Sequence, residues 1–300
     1  MRSRTSHSRT RTSQRAESIP PTALVLVGIA SVQFGSAIAK TLFDDIGPGG
    51  TAMLRIGFAA IVLVVLWRPS LRGHGSSDIW LAGAFGLTLA AMNLTFYAAL
   101  NHIPLGPAVT CEFVGPLGVA VFASRRPLDL LWVVLAAGGI LLLIAPSGAG
   151  LNAIGVALAL LAGCWWAAYI LLSVRTGKVF PGGTGLALAM AVAAVLVLPL
   201  GVADGGSDLL RPEILAAALG VAVLSSLIPY SLELEALRRL PPHLFGVLMS
   251  LEPAAAAVAG LILLGQVLKP NEWAGMALVI VASAGATRFA ERRTPAPRDV

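Results

Sequence analysis

Charge is scarce in this 300-residue chain: 12% of its residues are charged and 57% are hydrophobic, against roughly 25% charged in an ordinary soluble domain. A soluble core cannot account for that ratio. Cysteine is nearly absent, and both residues, Cys111 and Cys164, fall inside long apolar runs. They are poor disulfide candidates and leave no Cys/His spacing for zinc or redox chemistry. The four histidines, His7, His74, His102 and His243, lie in loops or outside the runs. No HExxH, Ser/His or Cys/His arrangement occurs within the runs, which argues against an intramembrane enzyme. Strict apolar/polar alternation over about 10 residues is missing as well, which excludes transmembrane β-strands and leaves helices as the spanning solution.

What the chain has instead is apolar runs of bilayer length, for which about 20 helical residues suffice. Ten are counted, at 23–43, 51–67, 79–100, 106–124, 130–145, 154–174, 183–202, 213–237, 245–264 and 272–290. The expected fold class is an all-α integral membrane protein with ten transmembrane helices.

Basic residues test the count independently, because cytoplasmic loops carry their excess. With the N-terminus inside, cytoplasmic segments hold Arg2, Arg4, Arg9, Arg11, Arg15, Arg68, Arg72, Arg125, Arg126, Arg175, Lys178, Arg238, Arg239, Arg288, Arg292, Arg293 and Arg298. External loops hold only Arg211 and Lys269, while Lys40 and Arg55 lie inside spans. Both termini are therefore expected in the cytoplasm of an inner-membrane protein. The net charge of +6 is parcelled among short loops and tails, which reads as topology and not as a nucleic-acid surface. The Arg/Ser/Thr-rich start resembles a transit peptide in composition. The run behind it is of full span length and carries Gln33 and Lys40, which favours an uncleaved first helix behind a disordered tail.

Ten spans divide into five and five, and an odd number per half forces the second half to enter from the opposite side. The expected organisation is a cytoplasmic tail at 1–21, repeats at 22–147 and 148–290, and a cytoplasmic tail at 291–300. Residues 99–104 (ALNHIP) parallel 236–241 (ALRRLP), and the same offset of 137 carries Pro116 onto Pro253. Both prolines sit about ten residues into their spans, near mid-bilayer at ~1.5 Å per residue. Paired breaks of this kind mark alternating-access carriers with a substrate site at the midplane, although single prolines also occur as tolerated kinks.

Lys40, Arg55, Glu112, Glu233 and Glu252 interrupt apolar runs, where a central charge costs roughly 2.5 to 3.5 kcal/mol. They are expected to face a wet cavity or one another. Lys40, Arg55 and Glu233 lie near span ends, where anchoring at the interface is an equal alternative, and Glu235 is read as an interfacial partner for Arg238 or Arg239. Glu112 and Glu252 lie deeper, four residues and one residue before Pro116 and Pro253. Gln33, Ala37 and Lys40 form a polar stripe on the first helix, and Asn93 and Tyr97 do so on the third. Such stripes also serve as interhelical glue. Trp165, Trp166 and Tyr169 wall a cavity or simply pack. A zwitterionic amino acid fits this inventory, with Arg55 or Lys40 receiving its carboxylate and Glu112 its ammonium. Glu112 can also alternate between protonated and charged states, coupling export to proton entry.

At these residues the chain resembles the drug/metabolite transporter superfamily of EamA type, and most closely its threonine/homoserine exporter branch. The matching stretches are SVQFGSAIAK at 31–40, EFVGPL at 112–117 through SRRP at 124–127, PYSLE at 229–233, and FGVLMSLEP at 245–253. The resemblance implies ten helices in inverted five-helix repeats, export of threonine, homoserine or related amino acids, a site that includes Tyr230, and no cofactor. A carrier for another metabolite, a nucleoside or a drug, a channel, and an integral-membrane enzyme remain as alternatives. Many family members carry a glutamate after the glycine near the end of the ninth helix, where Gln266 stands here.

Overall fold

The computed structural model describes residues 19–70, 72–124, 129–144, 151–237, 239–240 and 242–290, which are helical with short connections and contain no strand. The expected terminal tails lie outside the described residues except for 19–21, as do Arg125, Arg126 and Arg238. The helices run α1 (Pro21–Thr41), α2 (Phe43–Trp67), α3 (Ser76–Leu100), α4 (Leu105–Glu112), α5 (Val114–Ser124), α6 (Asp129–Ile144) and α7 (Ala153–Val179). After them come α8 (Thr184–Gly205), α9 (Pro212–Ala222), α10 (Ile228–Leu237), α11 (Pro242–Met249), α12 (Glu252–Leu264) and α13 (Pro270–Ala290). A 3₁₀ turn at Gly206–Leu210 precedes α9, and a π-helical segment at Val223–Leu227 joins α9 to α10.

Seven helical stretches are long and apolar enough to cross a bilayer, from Pro21–Thr41 to Leu244–Leu264, and shorter apolar helices cover Leu105–Val119 and Leu130–Leu143. Two of the expected spans are interrupted, one at Phe113 between α4 and α5, the other at Ser250 and Leu251 between α11 and α12. Proline explains both. Pro116 has no N–H to offer the Glu112 carbonyl, nor Pro253 the Met249 carbonyl, so each helix loses a bond at that point.

The second helix has a short turn ahead of its apolar run: residues 43–46 are helical, the chain kinks at Gly47, and Pro48 opens the long helix, a first-turn position where its missing N–H leaves no bond unmade. Gly47 has φ 66°, a left-handed value natural to glycine, and the Asp204 carboxylate accepts the Gly49 N–H at 2.8 Å. This ties the start of α2 to the end of α8.

α2 packs most extensively on α8, α3 on α7 and α8, α6 on α13, and α1 on α10 and α12. Association in lipid depends on close backbone approach at small residues. Two crossings illustrate it: a Cβ on Gly163 of α7 would meet the Glu112 carbonyl oxygen at 2.6 Å, and Cβ atoms on Gly139 and Gly275 would each meet the other's carbonyl at 2.6 and 2.7 Å. The outer faces keep large apolar side chains exposed, Val65, Leu66, Val195, Leu198, Ile262 and Val281 among them. Such a belt is the surface of a multi-pass membrane protein, for which lipid is the solvent.

Candidate functional site

Inside the bundle lies a cavity of about 170 Å³ whose lining carries one guanidinium, Arg55, and three carboxylates, Glu112, Glu233 and Glu252. Polar side chains Gln33, Ser36, Asn93 and Ser225 share the wall, and Val32, Met92, Phe96, Val109, Trp166, Tyr169 and Met249 complete it. Each helix supplies its residues by simple spacing. α1 contributes Gln33 and Ser36, three apart on one face, and α3 contributes Asn93 and Phe96 in the same way.

Arg55 donates hydrogen bonds to distant elements. Its Nη1 donates to the Tyr97 hydroxyl at 3.1 Å and its Nη2 to the Ser225 carbonyl at 3.4 Å. The Tyr97 ring is fully buried against Phe43 and Phe96, and the guanidinium carbon stands 5.6 Å from its centroid. The Ser225 carbonyl is available because Pro229, four residues on, has no N–H to give it. The π-helical segment also turns the Leu224 carbonyl outward, where it accepts the Ser31 hydroxyl at 2.6 Å. π-segments often mark functional positions, and here one supplies both carbonyls to the neighbours of the cavity.

The carboxylates come from the two broken helices and from α10. Glu112 is the last residue of α4 and feels the charge of Arg55. Glu252 is the first residue of α12, is 6% exposed, and feels the charges of Glu233 and Glu112. Against Glu112, Phe113 meets Trp166 edge-on with centroids 5.3 Å apart.

Two buried polar atoms on the wall have no protein partner among the described residues: Gln33 Oε1 and Ser225 Oγ, in residues 2% and 3% exposed. Asn93, by contrast, donates to its own Leu89 carbonyl at 2.9 Å. The cavity thus gathers one guanidinium and three carboxyl groups, beside two oxygens that have no protein partner among the described residues.

Of the residues singled out from sequence, Gln33, Arg55, Asn93, Glu112, Trp166, Tyr169, Glu233 and Glu252 line this space. Tyr97 stands behind it as the support of Arg55. Lys40 lies elsewhere, its Nζ donating to the Ile103 carbonyl at 3.3 Å. Trp165 is absent from the lining, and the Tyr230 side chain lies outside the described residues. Pro116 and Pro253 sit at the helix breaks, and Glu235 pairs with Arg239. Sequence reasoning missed Ser36 and Ser225. The first was legible as the position three after Gln33. Ser225 carries its signal in Pro229, four residues later.

Gln266 reaches back to the start of α4: its Oε1 accepts the Leu105 N–H at 2.9 Å, capping the first turn. It acts as a neutral acceptor, a role a carboxylate can also fill.

Comparison with known proteins follows the same residues. Residues 153–288 match the EamA-like transporter family. The chain is 40% identical over 283 residues to the threonine/homoserine exporter RhtA of Salmonella typhimurium (strain SL1344), covering 93% of this chain and 95% of that protein. It is 40% identical to RhtA of Escherichia coli (strain K12) over 270 residues, covering 89% and 91%. The uncharacterized transporter YwfM of Bacillus subtilis (strain 168) is 28% identical, covering 77% of this chain and 81% of that one. A protein crystal structure with 18% identity shares the fold at a TM-score of 0.61, covering 90% of this chain and 98% of the other.

Proposed function

The chain belongs to the EamA-like transporter family, and from that membership we propose that it is an inner-membrane secondary exporter of small amino acids such as threonine and homoserine. The cavity carries the reading. Arg55, held by Tyr97 and Ser225, suits a substrate carboxylate, the Glu112, Glu233 and Glu252 cluster suits its ammonium, and Gln33 and Ser225 remain for a side-chain hydroxyl. A volume of about 170 Å³ favours such a solute over a drug-sized ligand, whose pockets run to ~300–1,000 Å³.

The transport mode is alternating access between two inverted halves of five spans, 22–147 and 148–290, with both termini cytoplasmic. The offset of 137 that joins Pro116 to Pro253 also carries Leu105–Glu112 onto Pro242–Met249 and Ser76–Leu100 onto residues 213–237. Packing follows the same exchange. α3 meets α7 as α10 meets α1, α5 meets α7 as α12 meets α1, and α2 with α8 and α6 with α13 pair across the pseudo-axis. Two such halves can rock about a midplane site built at their broken helices. Protons are the coupling ion, carried on Glu112, where the neighbouring Arg55 lets substrate and proton compete for one charge balance.

Radiolabelled threonine and homoserine counterflow in proteoliposomes, with other amino acids and nucleosides as competitors, tests the reading. Saturable counterflow displaced by the two amino acids supports it; displacement by no amino acid overturns it.

A further inference from the structure

The π-helical segment leaves two consecutive backbone carbonyls without a helical partner. In an α-helix the Leu224 carbonyl would accept the Ile228 N–H, but that N–H donates to the Val223 carbonyl. In the wider π pattern Leu224 would accept from residue 229, which is proline and has no N–H to give. The Ser225 carbonyl loses its α-helical donor to the same Pro229. An unpaired carbonyl inside a membrane protein is costly, and each of these finds a substitute early in the chain. Leu224 accepts the Ser31 hydroxyl at 2.6 Å, and Ser225 accepts Arg55 Nη2 at 3.4 Å.

Helical serines and threonines commonly return their hydroxyl to a carbonyl of their own helix one turn earlier, as Thr51, Thr88, Thr110 and Ser231 do at 2.8, 2.9, 2.8 and 2.7 Å. The Ser31 hydroxyl instead crosses to a residue 193 positions later. One turn along α1, Gly35 completes the seat, because a Cβ there would meet Leu224 Cβ at 3.0 Å and the Ser225 N at 3.2 Å. Ser31 and Gly35 are four residues apart and share one face of α1. That face grips the two residues whose carbonyls are freed. Neither Ser31 nor Gly35 lines the central cavity, so any effect they have on a bound solute passes through the segment they hold.

We propose that Ser31 is a positioning residue for substrate binding: it locks the π register of Val223–Leu227 and so keeps the Ser225 carbonyl where Arg55 meets it. The inference rests on the reading of Arg55 as the anchor of the substrate carboxylate. Without the serine hydroxyl, Leu224 regains a partner when the Ile228 N–H returns to it. That exchange rewinds the segment toward the α-helical pattern and moves the Ser225 carbonyl off Arg55. The guanidinium then loses an acceptor that sets the direction of its fork.

The test is threonine counterflow in proteoliposomes over a range of concentrations, with thermal stability of the same proteins measured in detergent. Ser31→Ala should raise the half-saturating concentration about fivefold and leave the maximal rate near that of the wild type, as a loss of ground-state binding does. Ser31→Thr, which keeps the hydroxyl, should match the wild type. Ser31→Cys, nearly the same size with a weak donor, should fall between Ser31→Thr and Ser31→Ala. Added to Arg55→Lys, Ser31→Ala should produce no further rise, because the contact it protects is already broken. A wild-type half-saturation in Ser31→Ala, whatever its Tm, reduces Ser31 to a structural tie and overturns the proposal while leaving the export reading standing. Effects of Ser31→Ala and Arg55→Lys that multiply overturn it equally. Should Ser31→Ala not insert, a wild-type half-saturation in Ser31→Cys has the same force. No exchange of threonine or homoserine by the wild type overturns the export reading, and this one with it.

Discussion

The Tyr97 hydroxyl accepts a hydrogen bond from Arg55 Nη1 at 3.1 Å, and the same guanidinium stands 5.6 Å from the Tyr97 ring centroid. One fully buried aromatic therefore helps to fix in position the one guanidinium that lines the cavity among the described residues, where an unsupported charge would cost several kcal/mol in the apolar interior.

Removing that hydroxyl tests the support without disturbing the packing. Tyr97→Phe should insert normally, lose about 1 kcal/mol of orientation, and raise the half-saturating threonine concentration in counterflow roughly fivefold. Arg55→Lys keeps the charge but not the fork that reaches both Tyr97 and Ser225. Its counterflow should fall by more than about tenfold; wild-type counterflow in Arg55→Lys would remove Arg55 from substrate binding.

Glu112→Gln keeps the shape of the α4 terminus and abolishes its charge. In proteoliposomes across a pH gradient, proton-driven threonine flux should disappear while membrane insertion is intact. Unchanged flux would sink the coupling role assigned to Glu112.

The approach of α7 to the broken helix leaves no room at Gly163, where a Cβ would meet the Glu112 carbonyl oxygen at 2.6 Å. Gly163→Ala should cost ~1–3 kcal/mol through overpacking, seen as a lower Tm of the detergent-solubilised protein. Gly118, on α5 with nothing within 4 Å of its Cβ position, is the control. Gly118→Ala should hold or raise the Tm, because alanine is the better helix former.

Gln266 offers a further contrast. Gln266→Glu preserves an acceptor for the Leu105 N–H and should transport normally. Gln266→Leu orphans that donor and should lower stability by ~1–3 kcal/mol, read in the same thermal assay. Equal loss in both variants would point to a role for the amide group itself.

The proposed selectivity rests on Gln33 and Ser225, whose buried oxygens have no protein partner among the described residues. Ser225→Ala should narrow the preference for threonine over valine in competition counterflow by roughly fivefold, about 1 kcal/mol of lost hydrogen bonding, with carboxylate and ammonium recognition intact.

The sequence by itself determined the all-helical membrane class, since lipid requires each membrane helix to be apolar along its own length, and it located the two helix breaks, since proline acts on the carbonyl four residues before it. It also singled out Glu112 and Glu252, because a carboxylate deep in an apolar run is costly wherever its partners lie. Tertiary structure decided what each charge meets. Arg55 and Lys40 read alike in sequence, each a cation near a span end. Packing sends Arg55 to Tyr97 and to the Ser225 carbonyl, 42 and 170 residues away, and Lys40 to the Ile103 carbonyl, 63 residues away. Composition is a local property and can be read along the chain. A hydrogen bond between helices is set by crossing angle and close approach at residues such as Gly163, and only the assembled bundle fixes it.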